Sequence, residues 1–175
     1  WEERWIRDEG FMKSVPAAAI ALFEKCSVTS EEIDHFILPT DQARTPMGLA
    51  RKLGIDGDAV VDNQISNVGV TGAAQSILLL VKTLEQAKAG DLILVTGFGQ
   101  GCDAILLRAT EAITDFKPAQ GVSRALAARR EETNYNKFLS FNNLIERETG
   151  KRGEVDKQTY LSGYNRRKDL LTSFI

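Results

Sequence analysis

One histidine, two cysteines, two methionines and four prolines in 175 residues leave little material for several kinds of chemistry. Cys26 and Cys102 stand far apart with no C-x-x-C spacing, which excludes a thioredoxin-type motif and a cysteine-built zinc site within this sequence. Two cysteines also do not make a disulfide-built secreted scaffold. Neither charge sign dominates: 22 Lys and Arg face 24 Asp and Glu, a net charge of −2 with a pI near 5.6. That balance excludes a general nucleic-acid binder, which needs a basic surface. Long apolar runs are missing too. Ile77 to Val81 is far shorter than the roughly 20 residues of a membrane span. The opening stretch Trp1 to Glu9 is acidic and has no apolar centre, so it is not a signal peptide. A cytoplasmic protein is expected. The sequence begins at Trp1 rather than Met and stops abruptly at Thr172-Ser173-Phe174-Ile175, so it reads as part of a longer polypeptide.

What is present is an ordinary globular balance, 43% apolar and 26% charged. Val15, Ala19, Leu22 and Phe23 recur at helical spacing and predict a helix over 12–25, with Pro16 tolerated in its first turn. Thr29-Ser30-Glu31-Glu32 carries a capping-box pattern. Ile33 to Pro39 reads as a short strand ended by proline, and 42–53 as a helix stopped by Gly54. Ala59-Val60-Val61 predicts another short strand, before a glycine-marked loop over 67–72. Residues 73–87 read as a central, largely buried helix with a wide apolar face. Leu92 to Thr96 is a continuous apolar strand of the kind covered on both faces. A turn over 97–101 returns the chain into a second strand, Ala104 to Ala109. The alternation α-β-α-β-α-β-β predicts a layered α/β domain over 1–116.

Residues 117–175 differ. From 121 onward Lys and Arg outnumber Asp and Glu by 11 to 7, whereas the first 120 residues hold 11 and 17. Polar helices are expected over 121–148 and 154–171. The segment reads as a helical connector or docking extension, or as an ordinary surface helix pair.

Four short motifs, in this order, resemble the C-terminal half of thiolase-superfamily condensing enzymes, near 3-oxoacyl-carrier-protein synthase III and hydroxymethylglutaryl-CoA synthase. They are Glu32-Ile33-Asp34-His35-Phe36-Ile37-Leu38-Pro39, Ala50-Arg51-Lys52-Leu53-Gly54-Ile55, Val68-Gly69-Val70-Thr71-Gly72-Ala73-Ala74, and Gly90-Asp91-Leu92-Ile93-Leu94-Val95 leading to Phe98-Gly99-Gln100-Gly101. The resemblance implies a thiolase-like α/β half and an acyl-CoA substrate. It also implies a cysteine nucleophile supplied by an N-terminal half that lies outside this sequence. The family's C-terminal half contributes a histidine and an asparagine that stabilise a developing enolate or oxyanion, and a glycine turn whose backbone N–H faces the acyl carbonyl.

At the histidine position this sequence has Thr40, within Pro39-Thr40-Asp41-Gln42, and at the asparagine position it has Val70. Valine donates no hydrogen bond, so the Cys-His-Asn chemistry is not reproduced. The glycine turn survives as Phe98-Gly99-Gln100-Gly101, where only the backbone matters. The resulting candidates are Thr40, Asp41 and Cys102 for chemistry, and Val70, Phe98, Gly99, Gln100 and Gly101 for the oxyanion and acyl pocket. Bland readings stand beside them. Asp41 is equally an N-cap of the next helix, Cys102 a small buried hydrophobe and Asp103 a turn anchor. His35 precedes the proline that the family histidine follows and reads as structural. The Gly-x-Gly pattern at 97–101 is not a dinucleotide fingerprint, because a strand follows it.

The ending Tyr164 to Phe174 resembles the approach to a zinc-ribbon and OB-fold acyl-CoA-binding module. The resemblance thus implies two functions to be separated: a condensing enzyme active only when complete, or an inactive thiolase-like subunit that scaffolds an active partner. Expected partners are acyl-CoA, the N-terminal half, a homo- or heterodimeric mate and the zinc-ribbon module. No metal, covalently bound cofactor, nucleic acid or membrane is expected. The residue at the nucleophile position of the N-terminal half decides between the two readings.

Overall fold

The computed structural model describes residues 3–116 and 121–145. Contacts divide the chain into two units, Trp1–Arg129 and Arg130–Ile175.

The described residues of the first unit open on a short α-helical turn, Glu3–Trp5, and a π-helical turn, Ile6–Phe11, that runs into helix α1, Met12–Cys26. Helix α1 buries Val15, Ala19 and Phe23, three of the four residues whose spacing predicted it. It ends as Ser27 turns left-handed at φ 54°, with Val28 N–H donating to the Phe23 carbonyl over 3.1 Å, a Schellman-type closure. The capping box forms as expected: Glu32 accepts from the Thr29 N–H at 2.7 Å and so starts a short 3₁₀ turn.

Strand β1, His35–Ile37, lies parallel to β2, Leu92–Phe98, which pairs antiparallel with β3, Cys102–Arg108. The order is β1-β2-β3, with β2 central. Successive side chains alternate across this sheet. Phe36, Leu92 and Leu94 join a core with α1 and with helix α2, Thr45–Leu53. Ile37, Ile93 and Val95 face the other way, onto Leu79 of helix α3, Gln75–Leu84. The continuous apolar run of β2 is explained by this cover on both faces.

Three expectations need correction. Ala59-Val60-Val61 is not a strand; it makes one parallel bridge, Phe36 to Val60. Helix α2 starts at Thr45 rather than 42, with Arg44 at its N-cap, so Asp41 does not cap it. Helix α3 is a shorter helix led by a 3₁₀ turn, Gly72–Ala74, and its apolar face is not wholly buried. Leu79 is fully buried, but Ile77 is 62% exposed and Val81 is exposed beside it.

After β3 and a short helical turn, Ala112–Asp115, helix α4, Val122–Ala127, still belongs to the first unit. Glu85 at the end of α3 accepts from the Ser123 N–H and hydroxyl, and Lys82 donates to the same hydroxyl at 2.6 Å. Arg129 donates to the Asn67 carbonyl at 3.3 Å. The expected extension thus has its first turn strapped to α3, whereas the sequence places the boundary at 116/117. In the second unit, helix α5, Tyr135–Phe141, stacks Tyr135 on Phe138 with ring centroids 5.7 Å apart and leaves Phe141 exposed. The helix expected over 154–171, and the zinc-ribbon resemblance at 164–174, lie outside the described residues.

Candidate functional site

Two loops leave the sheet at the same end. Parallel pairing puts the C-terminal end of β1, which leads to Thr40, beside the C-terminal half of β2, which leads to the glycine turn. A buried hydroxyl ties the two strands there: Thr96 donates to the Ile37 carbonyl at 2.8 Å. His35 sits at the opposite end of β1, where its Nε2 lies 2.9 Å from Asp91 Oδ2. That carboxyl also accepts from the Lys88 N–H at 2.8 Å. The Lys88 amide first, and His35 after burial has acted the other way, hold Asp91 below the usual carboxylate range. His35 is therefore a brace at the far end of the sheet.

Phe98 pairs with Cys102, and Gly99-Gln100-Gly101 close the turn, with Gly99 N–H donating to the Gly101 carbonyl at 2.9 Å. That bond consumes the Gly99 donor, which leaves the Gln100 and Gly101 amides without a protein acceptor among the described residues. A Cβ at Gly99 or Gly101 would meet nothing within 4 Å, so the backbone is open to approach. Phe98, Gly99, Gln100 and Gly101 line a cavity of about 600 Å³ with Trp5, Ile6 and Ser14. Phe98 packs on Phe11 with centroids 4.8 Å apart, and its ring fills the space that a Cβ at Gly10 would need. The π-helical turn thereby walls the glycine turn.

Cys102 turns onto the α1 side of the sheet, among the core's partly buried members. Burial, and secondarily Asp103, push its thiol up from the usual range, which lowers the thiolate fraction that a nucleophile needs. The environment suits the bland reading of Cys102 better than the chemical one.

Thr40 and Asp41 line a different cavity, about 350 Å³, with Pro46, Val61, Asn63 and Ser66 among its walls. Thr40 is 8% exposed, and its hydroxyl accepts from the Gln42 N–H at 3.1 Å. Val70 is exposed on its loop and lines neither cavity. The structure therefore groups Phe98 to Gly101 in one cavity and Thr40 with Asp41 in another, and leaves Val70 apart.

Sequence reasoning missed Asn63 and Gln75. Gln75 is 4% exposed; its Oε1 accepts from Thr71 N–H at 3.0 Å and from the Thr71 hydroxyl at 2.5 Å. Its Nε2 donates to the Asn63 carbonyl at 2.6 Å, and Asn63 Oδ1 in turn accepts from the Thr40 N–H at 3.4 Å. This chain of bonds joins the Thr40 loop to the Val70 loop. One signal could have found it: Gln75, Leu79 and Thr83 are four apart and share one helix side, so a glutamine stands on the buried face, where it must be satisfied. Among the described residues no group of His, Cys, Asp or Glu could hold a metal ion, and no helix is long and apolar enough to cross a membrane.

Comparison with known proteins places the chain. Residues 23–109 match the family model of the 3-oxoacyl-[acyl-carrier-protein (ACP)] synthase III C-terminal domain. A hydroxymethylglutaryl-CoA synthase of Aeropyrum pernix is 32% identical over 139 residues, which are 78% of this chain and 38% of that protein. A beta-ketoacyl-[acyl-carrier-protein] synthase III of Streptococcus uberis is 34% identical over 51% of this chain and 29% of its own length. Among solved structures, 3-oxoacyl-[acyl-carrier-protein] synthase III of Aquifex aeolicus VF5 superposes with a TM-score of 0.55 at 30% identity, over 61% of this chain and 35% of that one. The chain thus spans 38% and 29% of the two curated relatives. Over residues 23–109 it belongs with the thiolase-like 3-oxoacyl-ACP synthase III and hydroxymethylglutaryl-CoA synthase proteins, as their C-terminal half.

Proposed function

We propose that the complete protein is an acyl-CoA enzyme that makes or breaks a carbon–carbon bond on an acyl thioester, with this chain as its C-terminal half. The observation that carries the reading is the glycine turn. Phe98 to Gly101 close a hairpin whose middle backbone is unhindered and borders a cavity of about 600 Å³. Backbone N–H groups held there suit a carbonyl oxygen that gains charge, and such donors are worth most in a water-poor site. The nucleophile comes from the N-terminal half, which also covers the apolar side of α3. Coenzyme A thioester is the substrate, and no cofactor is covalently held. A dimeric mate, a zinc-ribbon and OB-fold acyl-CoA-binding module as partner, and a cytoplasmic location complete the proposal.

A second reading has its own support. Thr40 and Val70 stand where the resemblance puts histidine and asparagine, which suits an inactive subunit that scaffolds an active partner. One experiment separates them. Acetyl-CoA and longer acyl-CoAs are incubated with the complete protein and with the 175-residue chain, and acylated protein is sought by mass spectrometry. The enzyme reading expects an acyl adduct on a cysteine of the N-terminal half and no turnover from the chain alone. Alanine, serine or glycine at the nucleophile position, with no adduct, establishes the scaffold. An adduct on Cys102 in the isolated chain would overturn both.

A further inference from the structure

Gly10 is the penultimate residue of the π-helical turn, and its backbone gives no reason for a glycine. Its φ lies outside the left-handed region, since the positive-φ glycines among the described residues are Gly54, Gly69, Gly72 and Gly90. Alanine at such a helical position would save the conformational entropy that glycine loses on folding. What the position admits instead is a ring. A Cβ there would lie 3.0 Å from Phe98 Cε2, 2.7 Å from Cε1 and closer still to Cζ. Phe11, the next residue, packs on the same ring with centroids 4.8 Å apart. Gly10 and Phe11 are both buried, so the last two residues of the turn form a seat for one side chain.

That side chain stands at the root of the glycine turn. Phe98 is the last residue of β2 and pairs with Cys102 across the hairpin, so fixing its ring fixes the corner from which Gly99-Gln100-Gly101 depart. The turn has little other hold. Its own hydrogen bond, from the Gly99 N–H to the Gly101 carbonyl, closes it on itself. Among the described residues it makes no hydrogen bond to the body of the domain, and a Cβ at Gly99 or Gly101 would meet nothing within 4 Å. The seated ring is therefore the tether. The seat itself is built from an unusual turn: Met12 N–H reaches back five residues to the Arg7 carbonyl. Such turns are rare and occur mostly as local insertions at functional sites.

We infer that Gly10 is a positioning residue for acyl transfer: by carrying no side chain it seats the Phe98 ring, and the seated ring holds the Gln100 and Gly101 amides at the acyl carbonyl. The inference rests on the acyl-CoA reading above and deepens it by naming a residue that acts on the site through another. In the step concerned, the cysteine sulfur of the N-terminal half bonds the acyl carbon. The bond from that carbon to the CoA sulfur breaks, and CoA leaves as its thiol with the proton the cysteine gave up. The carbonyl oxygen carries negative charge in between, and N–H donors already in place for it lower the barrier. A misplacement of about 1 Å at such a site costs about 100-fold in rate.

The test is single-turnover acetylation of the complete protein by acetyl-CoA, quenched and read by mass spectrometry over a range of acetyl-CoA concentrations. The maximal rate reports the charge-bearing step, and half-saturation reports binding. Gly10→Ala pushes the ring off its seat. It should lower the maximal rate about 10- to 100-fold and move half-saturation by less than about twofold. Phe98→Leu lacks the three ring atoms that a Cβ at position 10 would meet. Adding Gly10→Ala to Phe98→Leu should therefore change the maximal rate by less than about twofold, the coupling expected of two groups in contact. A wild-type rate in Gly10→Ala, an equal loss in both backgrounds, or a loss confined to half-saturation overturns the positioning role and leaves the acyl-CoA reading standing. If Gly10→Ala does not fold, Phe98→Leu decides. It empties the seat and should slow the step about tenfold at unchanged half-saturation, and an unslowed Phe98→Leu overturns the role. A complete wild-type protein that takes up no acetyl group overturns both.

Discussion

The two faces of the sheet are built from the same strands and finished differently. On one, Phe36, Leu92 and Leu94 are sealed by α1 and α2, and Val15, Ala19 and Leu49 close against them with no exposure. On the other, Ile37, Ile93 and Val95 cluster with Leu79 of α3, with Val61, Ala87 and Leu107 partly buried at the margin, and α3 leaves Ile77, Val81 and Leu84 outward. Ile105, on β3, is 54% exposed on that same face. Several large apolar side chains are thus exposed on this side of the sheet, whereas the other side exposes few. The first face is completed by this chain. The second has no further cover among the described residues, and the proposed N-terminal half would supply one.

The largest expected effect lies on the sealed face. Leu94→Ala removes a fully buried side chain and should cost about 2–5 kcal/mol in urea unfolding, through lost transfer energy and the cavity left behind. A loss below about 0.5 kcal/mol would mean that the layering is wrong. Next comes the end of the sheet, which both faces share. Asp91 is held ionised, so its contribution is complete above the ordinary carboxylate pKa and is lost as pH falls through its lowered folded value. Asp91→Asn should cost about 1 kcal/mol at neutral pH. It should also flatten the loss of thermal stability expected of the parent chain between about pH 5 and pH 3, the carboxylate range. Equal acid sensitivity in both would assign the acid response to another group. The smallest effect is expected on the open face. Ile77→Lys should change the stability of the isolated chain by no more than about 0.5 kcal/mol, as exposed sites do. With the N-terminal half present, the same change should block assembly in size-exclusion chromatography. A large destabilisation of the isolated chain would show the stripe to be core.

Periodicity made the sealed face legible and the open one misleading. Val15, Ala19 and Phe23 announce a helix with one buried side, and the run Leu92 to Thr96 announces a strand covered twice; both are as written in the sequence. The same arithmetic read α3 as largely buried, because a stripe waiting for another chain segment has the spacing of a stripe already packed. The site was legible where backbone alone matters, at Phe98 to Gly101, since glycines mark a turn whatever surrounds them. It was not legible at Asn63 and Gln75. Their roles come from bonds spanning 12 and 23 positions, which no local pattern carries. Asp41 illustrates the opposite failure. A good capping residue in a plausible place was passed over because helix α2 begins four residues later, with Pro46 in its first turn.

The contact between Gly10 and Phe98 has an evolutionary reading. The Phe98 ring occupies the volume of any side chain at position 10, so the two sites are not free to vary one at a time. A Gly10→Ala change made first meets a ring that also packs against Phe11. The order has to be reversed, with the ring at 98 shrinking before position 10 can grow. Descendants of this chain should therefore keep glycine at 10 for as long as they keep an aromatic at 98. A lineage that abandons one should soon abandon the other, which makes this pair a covariation signature of the wall beside the glycine turn.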